Sequence, residues 1–560
     1  MAHTPHSCDL YACTDEPQRK WVAKTPEATR AFAEFLATAL PWEKGDQMTL
    51  SGPLGSGKSL FARAFIRAFL KDPALTVPSP TFTLIQVYSQ SPPALFGHRP
   101  SAIVHSDFYR LQDYQDLLSL AWEDAIQDSL ALIEWPTHVP DALEQNRIDL
   151  TLSSVPECPE SRILTFTAHG NKKEYLDIIT SAYHLVETWA PQTNSLHFEA
   201  LDGDASSRRY VRVSHAEPFT ERSLSSQHRH DDSPSQIERS QAGSQIRQDG
   251  LLETSALIMF SPPVPPTPYS LQTHLAHDIR PFVAVSYGLR DKGLSAPQIY
   301  GVDEKNGILL IEDLGSAFLI TPDASPIKSL ERSVEVLAFL HDSSCTDSIT
   351  YPDHPPYVLP PYDRSALQTE LGVFLEWYLK HQPQTLSLDD QKAFFSAWDP
   401  FLEDIVRGPR TWTLRDYHSP NLLDLENRHG RERVGIIDFQ DALWGHPAYD
   451  LASLLQDARI TIHEKDEETA YAFYIYLRRE HDPQFDSERF LRAYKILAVQ
   501  RATKVLGVFS RLVHRDGKSR YGAHIPRVER YLARTLAGTL FETLRPWYAK
   551  HLSHVFKSEF

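Results

Sequence analysis

Two stretches of the 560-residue chain carry residue types and spacings suited to handling phosphate. In GPLGSGKS, the residues Gly52, Gly55, Gly57, Lys58 and Ser59 fit a P-loop. Its glycines let backbone N–H groups close around phosphates at a helix N-terminus, Lys58 brings charge to the β- and γ-phosphates, and the Ser59 hydroxyl can ligate magnesium. In RDYHSPN, residues 415–421, and the later IIDF, Asp416 can accept or orient a hydroxyl proton, while Asn421 and Asp438 offer an amide and a carboxylate to Mg2+. A D-x4-N pair arises by chance about once in a chain of this size. The weight therefore rests on what surrounds it.

The surrounding elements are readable. The apolar strand QMTLSG precedes the P-loop and the helix SLFARAFIRAFL follows it, with Phe61, Phe65 and Phe69 on one face. Two more strands, SAIVHSD and SLALIEW, end in Asp107 and Glu134, placed to hold the metal and to orient an attacking water. From Lys24 to about Gly170 strands alternate with helices, which predicts an α/β domain with a largely parallel sheet. A helix over Lys172 to Thr188 leads to the strands LHFEAL, RYVRVS and SALIMF. The turn in LDGDASSRRYVRV puts Gly203 in a phosphate-covering loop, and IEDLG reads as a hinge where the backbone at Glu312 and Leu314 can hydrogen-bond an adenine. Met259 stands where a phosphate-binding lysine is expected, so Arg208 or Arg209 is expected to serve the phosphates in part. The rest is mainly helical, broken by NLLDL and RVGIIDF, a hairpin that gathers Asp416, Asn421 and Asp438 around one point.

Other features set bounds. A formal charge of -17 argues against a surface that grips nucleic acid through its phosphates. Cys8, Cys13, Cys158 and Cys345 lack metal-site or disulfide-framework spacing. The N-terminus has no apolar signal region and no run is long enough to span a bilayer, so a soluble cytoplasmic protein without membrane contact is expected. Residues 215–252, rich in Ser, Gln, Arg, His and Asp, read as a disordered insertion.

The blocks GPLGSGKS, SPTFTLIQVY, HSDFYRL and IEWP, in that order, resemble the TsaE family, the ATPase subunit of the bacterial tRNA threonylcarbamoyladenosine system. The resemblance implies a switch-like loop at Thr81, a metal-site Asp107, a strand-end Glu134 and a nucleotide-side Trp135. It also implies partner subunits of the TsaD and TsaB type, with tRNA met only indirectly. Residues 196–535, through GDASSRRYVRV, LLIEDLG, LRDYHSPNLL and GIIDFQDALWGHPAYDLASLLQDAR, resemble aminoglycoside-phosphotransferase-like kinases of the anomeric amino-sugar type. That resemblance implies ATP-dependent phosphorylation of N-acetylmuramate or N-acetylglucosamine at the anomeric hydroxyl, with Asp416 facing it.

The expected architecture is therefore an α/β P-loop NTPase domain over residues 1–170 and a connector over 171–195. An α+β two-lobed protein-kinase-like domain follows over 196–560. Arg501, Lys504, Arg511 and Arg515 recur at helical spacing, which is either a solvated face or an anion pocket for the sugar's lactyl carboxylate. FLEWYL is either core or a sugar-stacking surface. A second reading makes the kinase-like half a non-catalytic binding module, and a third changes the acceptor to another small alcohol.

Overall fold

The computed structural model describes residues 18–89, 100–190, 196–201, 208–218, 244–246, 251–321, 326–342, 345–382 and 386–556. Contacts divide the chain into two compact units, Met1–Pro262 with Tyr300–Asp313, and Pro263–Ile299 with Leu314–Phe560.

The first unit holds two sheets. One contains β1 (Gln18–Ala23), β2 (Gln47–Ser51), β3 (Ile85–Ser89), β4 (Ala102–Asp107), β5 (Leu130–Glu134), β6 (Arg147–Val155) and β7 (Cys158–Ala168). Their spatial order is β1-β7-β6-β2-β5-β4-β3. Only the pairs β2/β6, β2/β5 and β4/β5 are parallel. The expectation of a largely parallel sheet thus holds at its centre and fails at its edges. One reason is that Pro156 and Glu157 alone join β6 to β7, a connection too short for a parallel crossover. The helices are α1 (Pro26–Ala39), α2 (Lys58–Leu70), the short α3 (Tyr114–Leu118) and α4 (Trp122–Ile126), and α5 (Lys173–Trp189). Thr25 starts α1 by accepting the Ala28 N–H at 3.1 Å, with Pro26 in the first turn where its missing N–H costs nothing.

The second sheet of this unit contains β8 (Leu196–Leu201), β9 (Arg209–Pro218), β10 (Ser244–Ile246), β11 (Leu251–Phe260), β12 (Ile299–Asp303) and β13 (Ile308–Glu312), ordered β12-β13-β11-β9-β8 with β10 beside β11. Of the stretch 215–252, residues 215–218 continue β9, 244–246 form β10 and 251–252 begin β11; the remainder lies outside the described residues. Register fixes which side chains share a face: Phe198 lies opposite Val213, Val213 opposite Ala256, Val211 opposite Ile258, and Ile258 opposite Leu310. Met259, Leu257, Tyr210 and Arg212 therefore occupy the other face.

The second unit is mainly helical, with α6 (Pro268–Gln272), α7 (Arg280–Asp291), α8 (Ile327–Leu340), α9 (Arg364–Val373), α10 (Leu388–Val406), α11 (Ala448–Leu455), α12 (Glu464–His481), α13 (Ser487–His514) and α14 (Ile525–Leu536). Short strand pairs interrupt it: β14 (Ser348–Ile349) with β15 (Tyr357–Val358), β16 (Thr411–Thr413) with β19 (Leu443–Gly445), and β17 (Leu422–Asp424) with β18 (Val434–Ile436). Three residues of FLEWYL are core, Phe374, Tyr378 and Leu379: Phe374 is fully buried against Phe394 and Tyr548, and the Tyr378 hydroxyl bonds Glu529, while Trp377 is half-buried and Glu376 exposed. Gly507 of α13 sits against that turn, where a Cβ would lie 2.5 Å from the Phe374 nitrogen.

Candidate functional sites

In the first unit the P-loop bends through Gly52, Gly55 and Gly57, all at positive φ. A Cβ on Gly52 would lie 2.3 Å from the Leu152 carbonyl, so no other residue fits there. Lys58 opens α2 with its Nζ donating to the Gly52 and Pro53 carbonyls at 2.8 and 3.1 Å and lying 4.0 Å from the Trp135 ring centroid. Burial lowers the Lys58 ammonium from its ordinary value, and the charges of Glu134 and Asp107 partly restore it.

Those acids arrive by strand register. Asp107 ends β4 opposite Glu134 at the end of β5, and Glu134 lies opposite Leu50 on the strand that feeds the P-loop. Asp107 accepts the Thr81 hydroxyl at 2.8 Å and the Tyr109 N–H at 3.0 Å, which ties the Ser-Pro-Thr-Phe segment to the acid. Trp135 follows Glu134 at φ 58° with its ring 5.0 Å from Tyr109. The sequence reading missed two residues here. His105 lies two positions before Asp107, hence on the same side of β4, and its Nε2 is 3.0 Å from Glu134 Oε1. Strand alternation alone could have found it. Arg162 on β7 donates to the Ser56 and Gly55 carbonyls at 2.8 and 3.2 Å and braces the loop from a strand more than a hundred residues away, which no local pattern signals.

On the second sheet, Met259 is fully buried on the face shared with Arg212. Arg212 is held by Asp313 at 2.6 Å and Glu199 at 3.2 Å. Arg209 corrects an expectation: it lies on the opposite face, over the Phe260 ring, and donates to the Ala39 carbonyl at 2.8 Å. Strand alternation turns it away from the Met259 face, so it does not serve phosphates there. Arg208 is half-buried just before β9, and Gly203 lies outside the described residues. Glu312 ends β13 buried. In the second unit Leu314 is buried against Leu423 and Leu425.

Also in the second unit, the hairpin of β17 and β18 brings the predicted triad together. Asn421 Nδ2 donates to the Asp416 carbonyl at 2.9 Å and lies 3.5 Å from Asp438 Oδ2, while Gln440 donates to Asp438 Oδ1 at 3.0 Å. Arg415 and Asp438 both adopt positive φ, 68° and 59°, a conformation uncommon for non-glycine residues. Asp450 of α11 fixes the loop by accepting the Leu414 and Arg415 N–H groups at 2.6 and 2.9 Å.

Arg415 is a buried anchor. Its guanidinium meets Glu370 Oε1 at 2.5 Å and the Thr273 carbonyl at 3.0 Å. Glu370, with no exposed surface, also takes Lys504 at 2.7 Å, Gln500 at 3.1 Å and the Tyr362 hydroxyl at 2.5 Å. Burial alone would raise the Glu370 carboxyl. The charges of Lys504 and Arg415, with the Lys504 and Tyr362 hydrogen bonds, outweigh it and pull the group down to about 2. Asp416 is likewise held below the ordinary range: desolvation would raise it, and His418, Lys504 and Arg415 more than offset that. Of the predicted acceptor-site arginines, Arg501 is buried and reaches the Gln456 carbonyl at 3.4 Å, and Arg515 pairs with Asp516 at 2.6 Å. Arg511 lies over the Tyr269 ring at 5.2 Å, with its Nε buried and making no hydrogen bond.

These folds and sites define a polypeptide that joins a P-loop ATPase to a kinase-fold phosphotransferase. The match to "Phosphotransferase enzyme family" covers residues 197–483, and that to "Threonylcarbamoyl adenosine biosynthesis protein TsaE" covers residues 23–162. The chain belongs to both families, the first through its C-terminal part and the second through its N-terminal part. It is 34% identical over 278 residues, 48% of its length and 74% of the relative's, to the N-acetylmuramate/N-acetylglucosamine kinase of Caulobacter vibrioides. Identity to the kinase of the same name from Pseudomonas aeruginosa is 33% over 270 residues, 46% of this chain and 74% of that one. The tRNA threonylcarbamoyladenosine biosynthesis protein TsaE of Bacillus subtilis is 33% identical over 159 residues, 28% of this chain and 91% of that one.

The Glu370 cluster yields a prediction. A carboxyl whose folded-state value lies below its ordinary 4.5 contributes stability above that value and loses it as pH falls through about 2. A shift of that size corresponds to about 3 kcal/mol. Glu370→Gln should therefore destabilise the second unit by about 3 kcal/mol at pH 7, and the difference from wild type should shrink as pH falls from about 4.5 toward 2. Urea unfolding at a series of pH values measures both. A pH-independent difference would assign Glu370 to packing alone.

Proposed function

We propose that the chain carries two activities: an ATPase that supports tRNA threonylcarbamoyladenosine modification, and a cytoplasmic kinase that phosphorylates the anomeric hydroxyl of N-acetylmuramate and N-acetylglucosamine. The observation that carries the second is the convergence of Asp416, Asn421 and Asp438 on one loop and hairpin, in a chain similar to kinases of those two sugars. For the first, it is Lys58, Thr81, Asp107 and Glu134 at the ends of adjacent strands and the start of α2. Partner subunits of the TsaD and TsaB type would hold the tRNA, consistent with the chain's charge of -17.

In the kinase reaction the sugar's anomeric oxygen bonds to the γ-phosphorus of ATP, the bond to the ADP oxygen breaks, and the hydroxyl proton is released. Asp416, with its ionised form favoured by His418, Lys504 and Arg415, orients that hydroxyl and takes its proton as the new bond forms. Mg2+ suits the oxygen donors present: the Asp438 carboxylate and the Asn421 amide oxygen in one site, Ser59 and Asp107 in the other. When bound it neutralises charge on the phosphates. Asn421 spends its Nδ2 on the Asp416 backbone, which leaves its amide oxygen as the acceptor for such an ion.

Arg511 is the residue we assign to the lactyl carboxylate of N-acetylmuramate. Its Nε makes no hydrogen bond, whereas Arg501 and Arg515 have partners of their own. Arg511→Ala should raise KM for N-acetylmuramate about tenfold or more and leave N-acetylglucosamine, which has no carboxylate, within about twofold. Equal losses on both sugars would remove this role.

A phosphate-transfer screen of the purified full chain, with ATP and Mg2+ against a panel of amino sugars, tests the kinase reading directly. Product from N-acetylmuramate or N-acetylglucosamine supports it, and no product with any sugar shifts the C-terminal half to a binding role. Lys58→Ala should lower ATP hydrolysis in the absence of sugar by about 100-fold and spare sugar phosphorylation, while Asp416→Asn should do the reverse. Loss of both activities from either change would contradict two separate sites.

A further inference from the structure

Helix α1 has an unusual surface for a helix on the outside of an α/β domain. Such a helix keeps a polar face toward water. From Ala31 to Leu40, however, every residue except Glu34 is buried, and Phe32, Phe35, Leu36, Ala37 and Ala39 have no exposed surface at all. One side of α1 packs on the P-loop sheet and α2. The other meets the second sheet of the same unit: Phe35 lies 5.3 Å from Phe198 of β8, and Tyr183 of α5 completes a ring triangle with them, 5.4 Å from Phe35 and 6.4 Å from Phe198.

Polar groups close the edges of this contact. Glu34, the one residue of that stretch not buried, accepts the Phe198 N–H at 3.4 Å and pairs with His197 at the same distance. Arg209 of β9 donates to the Ala39 carbonyl at 2.8 Å, supplying α1 with the C-terminal cation that its own last turn lacks. Helix α5 packs along β12 and β13 of the same sheet. Trp189 stacks on Tyr300 at 6.2 Å, Lys305 pairs with Asp177 at 3.6 Å, and Gly301 admits Leu185 so closely that a Cβ would meet it at 2.7 Å.

An antiparallel sheet can leave one face to water, and its strands then alternate apolar with polar. This one does not. Phe198, Val211, Val213, Ala256, Ile258, Phe260, Ile308 and Leu310 belong to the same continuous core as Phe32, Phe35, Leu50 and Phe65 of the ATPase part, while Met259 and Leu309 on the opposite face are also fully buried. Stripped of α1 and α5, that face would present Phe198, Val211, Val213, Ala256, Ile258 and Leu310 to water as one contiguous apolar patch, of the kind that soluble monomers seldom expose.

We infer that the ATPase part, through α1 and α5, is the obligate outer layer of the kinase's nucleotide-side sheet, so that the small lobe of the kinase is folded on the ATPase and is not a separable module. The two families are joined by a shared core as well as by a peptide bond. This inference concerns the fold of the first unit and stands whichever substrates the two sites prove to use.

The full chain tests it. A specific protease site in place of residues 191–195, between α5 and β8, allows the native protein to be cut after folding. The two fragments should stay together through size-exclusion chromatography; fragments that elute apart as soluble species would overturn the inference. Hydrogen exchange on the uncut chain gives an independent readout. Phe35→Ala should speed exchange of β8 and β9 amides about tenfold or more while leaving β17 and β18 of the second unit unchanged. Unchanged exchange in β8 and β9, with acceleration confined to α1 and its own sheet, would show two separate cores and refute it.

Discussion

The first unit depends on the burial of one helix on two sides. α1 starts like any surface helix, with a threonine cap and a proline in its first turn, yet its later turns have only Glu34 left to meet solvent or a polar partner. A helix this apolar requires a layer on each side. The P-loop sheet supplies one and β8 to β13 supply the other. That demand explains several otherwise separate details: Gly301 where a side chain would block α5, Arg209 capping a helix 170 residues away, and a β13 that is buried on both faces.

Charge is placed by the same economy of partners. At the P-loop, Lys58 is held by two backbone carbonyls and the ring of Trp135, with Glu134 and Asp107 close enough to restore part of the basicity that burial removes. Neutral carbonyls bind an ammonium without cancelling it, so phosphate can compete for it at small cost. In the second unit, the cations beneath Asp416 are instead committed to a carboxylate and are structural.

Much of this was legible in the sequence because it is local. The P-loop, its strand and helix, the strand-end acids Asp107 and Glu134, and the hairpin carrying Asn421 and Asp438 all follow from patterns within about thirty residues. What stayed hidden depends on which way a strand faces or on a distant partner. Arg208 and Arg209 looked equivalent, but register assigns Arg209 to the α1 side of the sheet. The helical spacing of Arg501, Lys504, Arg511 and Arg515 was real, yet a helix packed on several sides gives each of those positions a different neighbour. Glu370 carried no signal at all, since nothing in RSALQTELGV marks one glutamate as the partner of Arg415, 45 positions on.

The arginine before Asp416 then has a physical reading. A guanidinium cannot shed its proton, so burying it demands a permanent anion. Glu370 meets that demand, but it serves Lys504 as well, and two cations around one buried carboxylate leave positive charge in excess beneath the loop. That excess reaches Asp416, where Lys504 and Arg415 add to the larger effect of His418 in favouring the ionised form. An arginine in this position therefore ties the loop to α9 through Glu370 and adds its charge to the field that favours the ionised Asp416 carboxylate.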